Sequence, residues 1–512
     1  MFTNSQSSSL QKQSIVIVGG GSAGWMTAAA LSTHLSPEHF HITLVESPEI
    51  GTISVGEATI PGILEFNQML GINEAEFLDF TKGSFKLGIL FKDWYEKGNQ
   101  YMHPFGAYGV SLQGIPFHHY ILQEKLNDGI SMRDLSPYCI EYTAALNNKF
   151  SHPQPQSRSP LASIKYAYHF DATLYAKFLQ QLACSKGVIH IQDNITKVNQ
   201  HPSGDIASVT LTNNPIVTGD IFIDCSGFKG LLINQALGVT FEDWRKYLPC
   251  DSAIAMPSEA LTTIKPYTIS TAHENGWQWQ IPLQHRVGNG FVFASEFLSE
   301  HKAIEQLSSQ LPSAAIGEPR ILKWTNGKRT KVWEKNCIAI GLSAGFIEPL
   351  ESTGLQLIQS AITRLLSLWP NIPIANAVRD QFNAYTNQEI DAIRDFVILH
   401  YVANKRSDSR FWQHCQQIEL PERLRNKMAL YEASGNIFRD DNELFNEISW
   451  FSVLNGQGVT PASYHPLANN LSIQSRRKYL KTIAGAMQEA TANMPDHGEY
   501  LAKYVAQSSR PR

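Results

Sequence analysis

Short runs of consecutive apolar residues, rather than alternating ones, mark the first part of the chain. Residues 14–18 (SIVIV) form such a run, of the kind a strand buried on both faces makes. A helical pattern follows to Leu31. A second run, 41–45, predicts the next strand and ends at Glu46. Runs at 188–191, 219–224 and 337–341 predict further strands, while residues 250–335 read as β-rich. Between 84 and 91 the pattern alternates: Phe85, Leu87, Ile89 and Phe91 share one face of a predicted strand, and Lys86 lies on the other beside Gly88. Leu355, Ile358, Ile362, Leu365 and Leu366 recur at three and four, which predicts a helix. From about residue 370 the chain reads as mainly helical, with Tyr385, Ile390, Ile393, Phe396 and Leu399 at helical spacing. Residues 145–160, with Pro153, Pro155 and Pro160, predict a surface loop. Residues 404–409 predict a polar break, and 450–458 an apolar turn covering a site.

Composition narrows the picture. Of 512 residues 43% are apolar and 17% charged, enough for a large core and unlike a disordered chain. The net charge of −4 and the lack of a basic run argue against nucleic acid as a partner. Six scattered cysteines show no metal-binding or disulfide spacing and point to a reducing, cytoplasmic setting. Residues 1–13 lack the apolar segment of a secretory signal, and no apolar stretch is long enough to span a membrane. The polar tail after Gln507 is expected to fray.

Candidate chemistry lies where strands end. Gly19-Gly20-Gly21-Ser22-Ala23-Gly24 sits between a strand and a helix, the setting in which a glycine-rich turn binds a dinucleotide. Gly19 permits the turn, Gly21 lets a pyrophosphate approach, Gly24 lets helix and strand pack, and Glu46 suits the ribose hydroxyls. Gly56, Glu57 and Ala58 form a loop able to approach the cofactor, ahead of a helix start at Thr59 and Pro61. Lys86 is either an amine tuned by burial or an edge lysine reaching water. His103, Pro104 and Phe105 belong either to a binding wall or to the core. Residues 168–172 (YHFDA) predict the cap of a helix running to Leu182, and Lys229 reads as a surface charge. Trp277 and Trp279, two apart on a strand, put both indoles on one face, as a channel wall or as core. In residues 345–354 (GFIEPLESTG), Ser352 is read as the N-cap of a helix, with Thr353 and Gly354 supplying free N–H groups for an anion. Glu348 and Glu351 stand just before it. Gly341 and Ile347 complete the residues expected to face the cofactor.

These motifs resemble those of the flavin-dependent halogenases of the tryptophan-halogenase type. GGGSAG at 19–24, FKLGI with Lys86, WQWQIP at 277–282 and FIEPLESTG at 346–354 carry the likeness, with GEATIP at 56–61 and YHFDA in support. The resemblance covers nearly the whole chain. It implies an α/β fold: a Rossmann-like FAD-binding module of the flavin-monooxygenase type (14–100, 160–245, 330–370), interleaved with a β-rich and C-terminal helical substrate module (101–159, 246–329, 371–505). It implies FADH2 delivered by a separate NAD(P)H-dependent reductase, O2 as co-substrate, and chloride or bromide oxidised to hypohalous acid. The halide is expected at the amides of Thr353 and Gly354. Trp277 and Trp279 are expected to keep the substrate from the flavin. Lys86 and Glu351 are the expected catalytic pair, the lysine holding the oxidant by hydrogen bonding or as a haloamine. Glu351 is preferred over Glu348 by motif position. His103, Pro104, Phe105 and Trp450 are expected to line an aromatic substrate pocket. Many relatives are dimers and serve antibiotic or other secondary-metabolite pathways. One departure stands out: residues 431–453 are short and lack the paired tyrosines that grip free tryptophan, which implies an indole, larger indole-type or phenolic substrate. An aromatic hydroxylase sharing the fold, or a flavin-binding sensor, would lack the combination of Lys86, Glu351 and the tryptophan pair.

Overall fold

The structure is a computed structural model and describes residues 12–49, 57–131, 133–213 and 216–507. The consecutive apolar runs do become a buried parallel sheet. Its order is Trp333–Glu334, Cys337–Ala339, Ile221–Asp224, Gln13–Val18, Phe40–Glu46 and Ile189–Gln192, with only the first strand antiparallel to its neighbour. Ile15, Val16 and Ile17 are fully buried because helices cover the sheet. The helices Ala172–Ser185 and Gly354–Ser367 both lie against Ser22–His34; Asp171 caps the first of the two by accepting from Thr173 and Leu174.

A second, mixed sheet runs Arg320–Lys323, Ser252–Ala255, Arg286–Phe293, Gly276–Pro282, Thr268–His273, Gly88–Lys92 and Gln100–Pro104, with Ser258–Glu259 paired at one side. The region read as β-rich also contains a helix, Glu300–Ser309. The C-terminal part is helical, led by Asn376–Val402. On that helix Ile390, Ile393, Phe396 and Leu399 are buried as their spacing predicts, whereas Tyr385 is exposed.

Four local expectations are corrected. The alternating stretch 84–91 is not one strand: Ser84–Lys86 pairs with Ala167–Phe170, and Gly88–Lys92 belongs to the large sheet. The chain switches sheets at Leu87, whose backbone bonds to Pro266 and Phe105, and a side chain on Gly88 would come within 2.6 Å of the His103 carbonyl. Phe85 therefore stacks on Phe150, whereas Phe91 stacks on Tyr101. Residues 145–160 are not wholly superficial, since Ala145 and Phe150 are core. Residues 450–456 are not a turn but part of the helix Glu447–Gly456, capped by Asn446. Ser352 is not an N-cap; it takes a left-handed conformation (φ 59°) closing the turn Pro349–Glu351, and the helix begins at Gly354. The terminal stretches 1–11 and 508–512, and Gly56, lie outside the described residues.

Candidate active site

A cavity of about 610 Å³ opens at the ends of the parallel strands, where ligands bind such sheets. Gly19, Gly21, Ser22, Ala23, Glu46, Ala58, Gly341 and Ile347 line it; Gly24 lies behind, and of Glu57 only the backbone pairing with Phe170 is described. Gly19 has φ +112°, and a side chain there would come 2.2 Å from the Cys225 carbonyl. At Gly21 a Cβ would meet nothing within 4 Å, so its missing side chain leaves free space over the start of Ser22–His34. No side chain caps that helix, and its first N–H groups are open to an anion. Glu46 leans over Gly20 and accepts through Oε1 from His190 Nε2 at 2.6 Å. This donor set and shape fit FAD: amides for the pyrophosphate, a carboxylate for the ribose, and the flat aromatic walls of Trp277 and Trp279. Gly21→Leu should therefore leave the melting temperature nearly unchanged but weaken FAD binding by at least about tenfold, because the added side chain would occupy cofactor space rather than protein. Fluorescence titration of FAD, beside a thermal melt, checks both halves.

Trp277 and Trp279 stand 6.1 Å apart between ring centroids on the strand Gly276–Pro282 and share the cavity wall. Ser352 and Gly354 also line the cavity, and the helix starting at Gly354 has no side-chain cap; Thr353 is buried behind them. Lys86, Glu351 and His103 are not part of this wall. The turn 349–354 therefore has a cavity-lining side, at Ser352 and Gly354, and a buried side, at Glu351.

On the far side Lys86 is fully buried, which excludes the edge-lysine reading. Its Nζ donates to the Thr59 carbonyl at 2.9 Å and to Ser352 Oγ at 3.0 Å, and lies 5.4 Å from the Phe105 ring centroid. Burial lowers its pKa to about 7, against the partial opposing pull of the Glu351 charge. Lys86 and Glu351 form no direct ion pair; Ser352, the residue after Glu351, links the lysine to the turn. The Glu351 carboxylate sits instead between two imidazoles. His103 Nδ1 donates to Oε2 at 2.8 Å, and His400 Nε2 stands 2.8 Å from Oε1, off the hydrogen-bonding line. His400 Nδ1 is committed to the Phe396 carbonyl at 3.0 Å. Nδ1 is therefore engaged elsewhere, and Nε2 is the nitrogen turned to the carboxylate. Burial would raise the Glu351 pKa, but the two histidines outweigh it and hold it at about 2.

An aromatic cluster adjoins this pair. The His103 ring faces Phe396 and Phe445 at 5.6 and 5.8 Å, and Phe396 stacks on Phe445 at 4.0 Å and meets Trp450 edge-on. Pro104 is buried at the end of the same strand as His103, and Phe105 is half-buried. Phe445 and the histidine that braces Glu351, His400, carry no local motif. His400 follows Phe396 by one helical turn, a spacing that would have placed it on the same face.

The tryptophan halogenase family profile matches residues 14–472. The 7-chloro-L-tryptophan 6-halogenase KtzR of Kutzneria sp. (strain 744) is 35% identical over 96% of this chain and 99% of its own. Among solved structures, Xcc4156, a flavin-dependent halogenase from Xanthomonas campestris, is 42% identical with a TM-score of 0.93, covering 96% of this chain and 98% of its own. BrvH, a flavin-dependent halogenase from Brevundimonas sp. BAL3, is 41% identical with a TM-score of 0.92, covering 96% and 99%. Sequence, fold and cofactor cavity agree, and the chain belongs to the tryptophan halogenase family as a flavin-dependent halogenase.

Proposed function

We propose that this enzyme chlorinates or brominates an electron-rich aromatic ring, an indole or a larger indole-type molecule rather than free tryptophan, with Lys86 and Glu351 as its catalytic residues. The observation that carries this reading is a fully buried lysine tied through Ser352 to a turn whose other side faces the dinucleotide cavity. Bound FADH2, delivered by a separate NAD(P)H-dependent reductase, would supply the electrons with which O2 oxidises halide to hypohalous acid. The uncapped helix start at Gly354, with the Thr353 amide beside it, holds the halide by its free N–H groups and dipole. Trp277 and Trp279 close the cavity wall and exclude the aromatic substrate. Hypohalous acid reaching Lys86 meets an amine that is half neutral near pH 7. The neutral amine attacks the halogen and its own N–H proton leaves with the hydroxide as water, giving an N–halogen bond; the ring then takes the halogen, and the nitrogen regains a proton from the ring by way of Glu351. Glu351 receives the ring proton; its low pKa makes it a weak base, which suffices because a ring cation is a strong acid.

The substrate reading rests on the 431–453 region. Glu443 is buried and paired with Arg423 and Lys427, and Arg423 also reaches Asp440, so these four charges answer one another. His103, Phe105, Phe396, Phe445 and Trp450 supply flat apolar contact for a ring. In an assay with reductase, NADH, O2 and bromide, indole and larger indole-type substrates should be converted at least about tenfold faster than tryptophan; the reverse order would overturn the substrate reading, and oxygenated product formed without halide would favour a hydroxylase. Bromination should also rise with pH through about 7, following loss of the Lys86 proton. A flat or falling profile there would favour the ammonium as hydrogen-bond donor. The free thiols of all six cysteines support a cytoplasmic setting. We also propose a homodimer, which sedimentation would test. No helix among the described residues is long and apolar enough to cross a membrane.

A further inference from the structure

The turn that carries Glu351 holds a second buried carboxyl group to which the chemistry above assigns nothing. Glu348 is fully buried. Its Oε1 accepts from Trp277 Nε1 at 3.1 Å and from the Tyr401 hydroxyl, and its Oε2 is buried without a protein partner. Its backbone N–H donates to Asn326 Oδ1 at 3.0 Å, which fixes the residue from behind. Trp277 belongs to the wall of the cofactor cavity. Tyr401 follows His400, the residue that stands against Glu351, on the helix Asn376–Val402. Adjacent residues of one helix therefore engage the two glutamates of one turn.

We propose that Glu348 is a positioning residue for halogenation: its carboxyl group ties the Trp277 indole to Tyr401, so that the cavity wall and the His400–Glu351 pair keep one fixed relation. The proposal rests on the functional reading above and extends it to a residue that touches neither substrate nor oxidant. A single oxygen accepting two donors makes the link directional, and removing it would leave a buried indole N–H and a buried hydroxyl without their acceptor. The titratable groups that face Glu348 are Tyr401 from the long helix, Cys250 ahead of Ser252–Ala255, and Cys415 from Arg410–Gln416. None is a cation. Burial accordingly pushes the carboxyl up to about 7, although the bonds from Tyr401 and Trp277 pull it down. Below that pH the acid is neutral and the network intact. As pH rises through it, the carboxylate becomes the stronger acceptor for both donors and the two bonds tighten, while an unpaired charge forms in the pocket.

The first test needs neither cofactor nor turnover. In the full-length apoprotein labelled with 15N-tryptophan, the Trp277 indole resonance, identified by its loss in Trp277→Phe, should titrate with a midpoint near 7. In Glu348→Gln, which keeps an acceptor oxygen and cannot ionise, it should stay flat. The second test measures halogenated product per FADH2 consumed. Glu348→Gln, which keeps the acceptor oxygen, should hold the ratio within about twofold of the wild type, and Glu348→Leu should lower it about tenfold at every pH. An indole resonance titrating identically in wild type and Glu348→Gln, or a wild-type ratio in Glu348→Leu, would overturn the proposal. A wild-type enzyme making no halogenated product with any ring would sink the functional reading instead, while the indole titration would still report on the link.

Discussion

Lys86→Met should abolish halogenation, by about 10³-fold or more, while oxidation of FADH2 by O2 continues. Methionine is close to lysine in length and removes the amine without opening a large cavity. The lysine is fully buried, its ammonium form is disfavoured by that burial, and its hydrogen bonds run to the Thr59 carbonyl and Ser352 Oγ. A position that holds an ionisable amine in the dry interior is costly for the fold. The variant should therefore melt at the same temperature as the wild type or above it, the usual relation between a strained functional site and stability. Measuring halogenated product, FADH2 consumption and melting temperature on the same preparation separates the cases. Product at close to the wild-type rate would remove Lys86 from the mechanism; loss of product with collapse of the fold would make it structural.

Glu351→Gln should lower halogenation by about 10²- to 10³-fold and alter how stability depends on acid. The substitution keeps shape but removes the charge that His103 and His400 face. Folding lowers the Glu351 pKa from 4.5 to about 2, so between these values the native state holds fewer protons than the unfolded chain. Its stabilising contribution is present above about pH 4.5 and is lost as pH falls through 2. In thermal melts the wild type should lose stability over that window and the glutamine variant should lose less. Glu351→Ala should cost more, on the order of 3 kcal/mol, because it leaves buried imidazoles without an acceptor and adds a cavity. Equal acid dependence in wild type and Glu351→Gln would mean that the two histidines do not hold the carboxylate as a charge.

The sequence made the cofactor cavity legible because local rules act there. A glycine turn between a strand and a helix has one geometry, and Gly19 and Gly21 serve it as their spacing predicts. The shared face of Trp277 and Trp279 follows equally from the period of a strand. Local rules failed at Leu87, where alternation predicts one strand and the chain instead passes between two sheets. They failed again at Ser352, which takes a left-handed backbone and accepts a hydrogen bond from Lys86 through its hydroxyl rather than capping a helix. At residues 450–456 an apolar stretch without visible periodicity is a helix buried on nearly all sides.

The chain by itself determined its class and its dinucleotide turn, which depend on residue type and short-range spacing, while Lys86 and Glu351 were singled out as a pair only by resemblance to the family. Only the tertiary structure decided the state of that pair. Burial from every side sets the Lys86 amine near neutrality, and His103 and His400, brought from two distant segments, keep Glu351 charged. Desolvation and charge pairing depend on everything within a few ångströms, whatever its distance along the chain. For that reason two glutamates three residues apart in one turn, Glu348 and Glu351, stand in opposite protonation regimes.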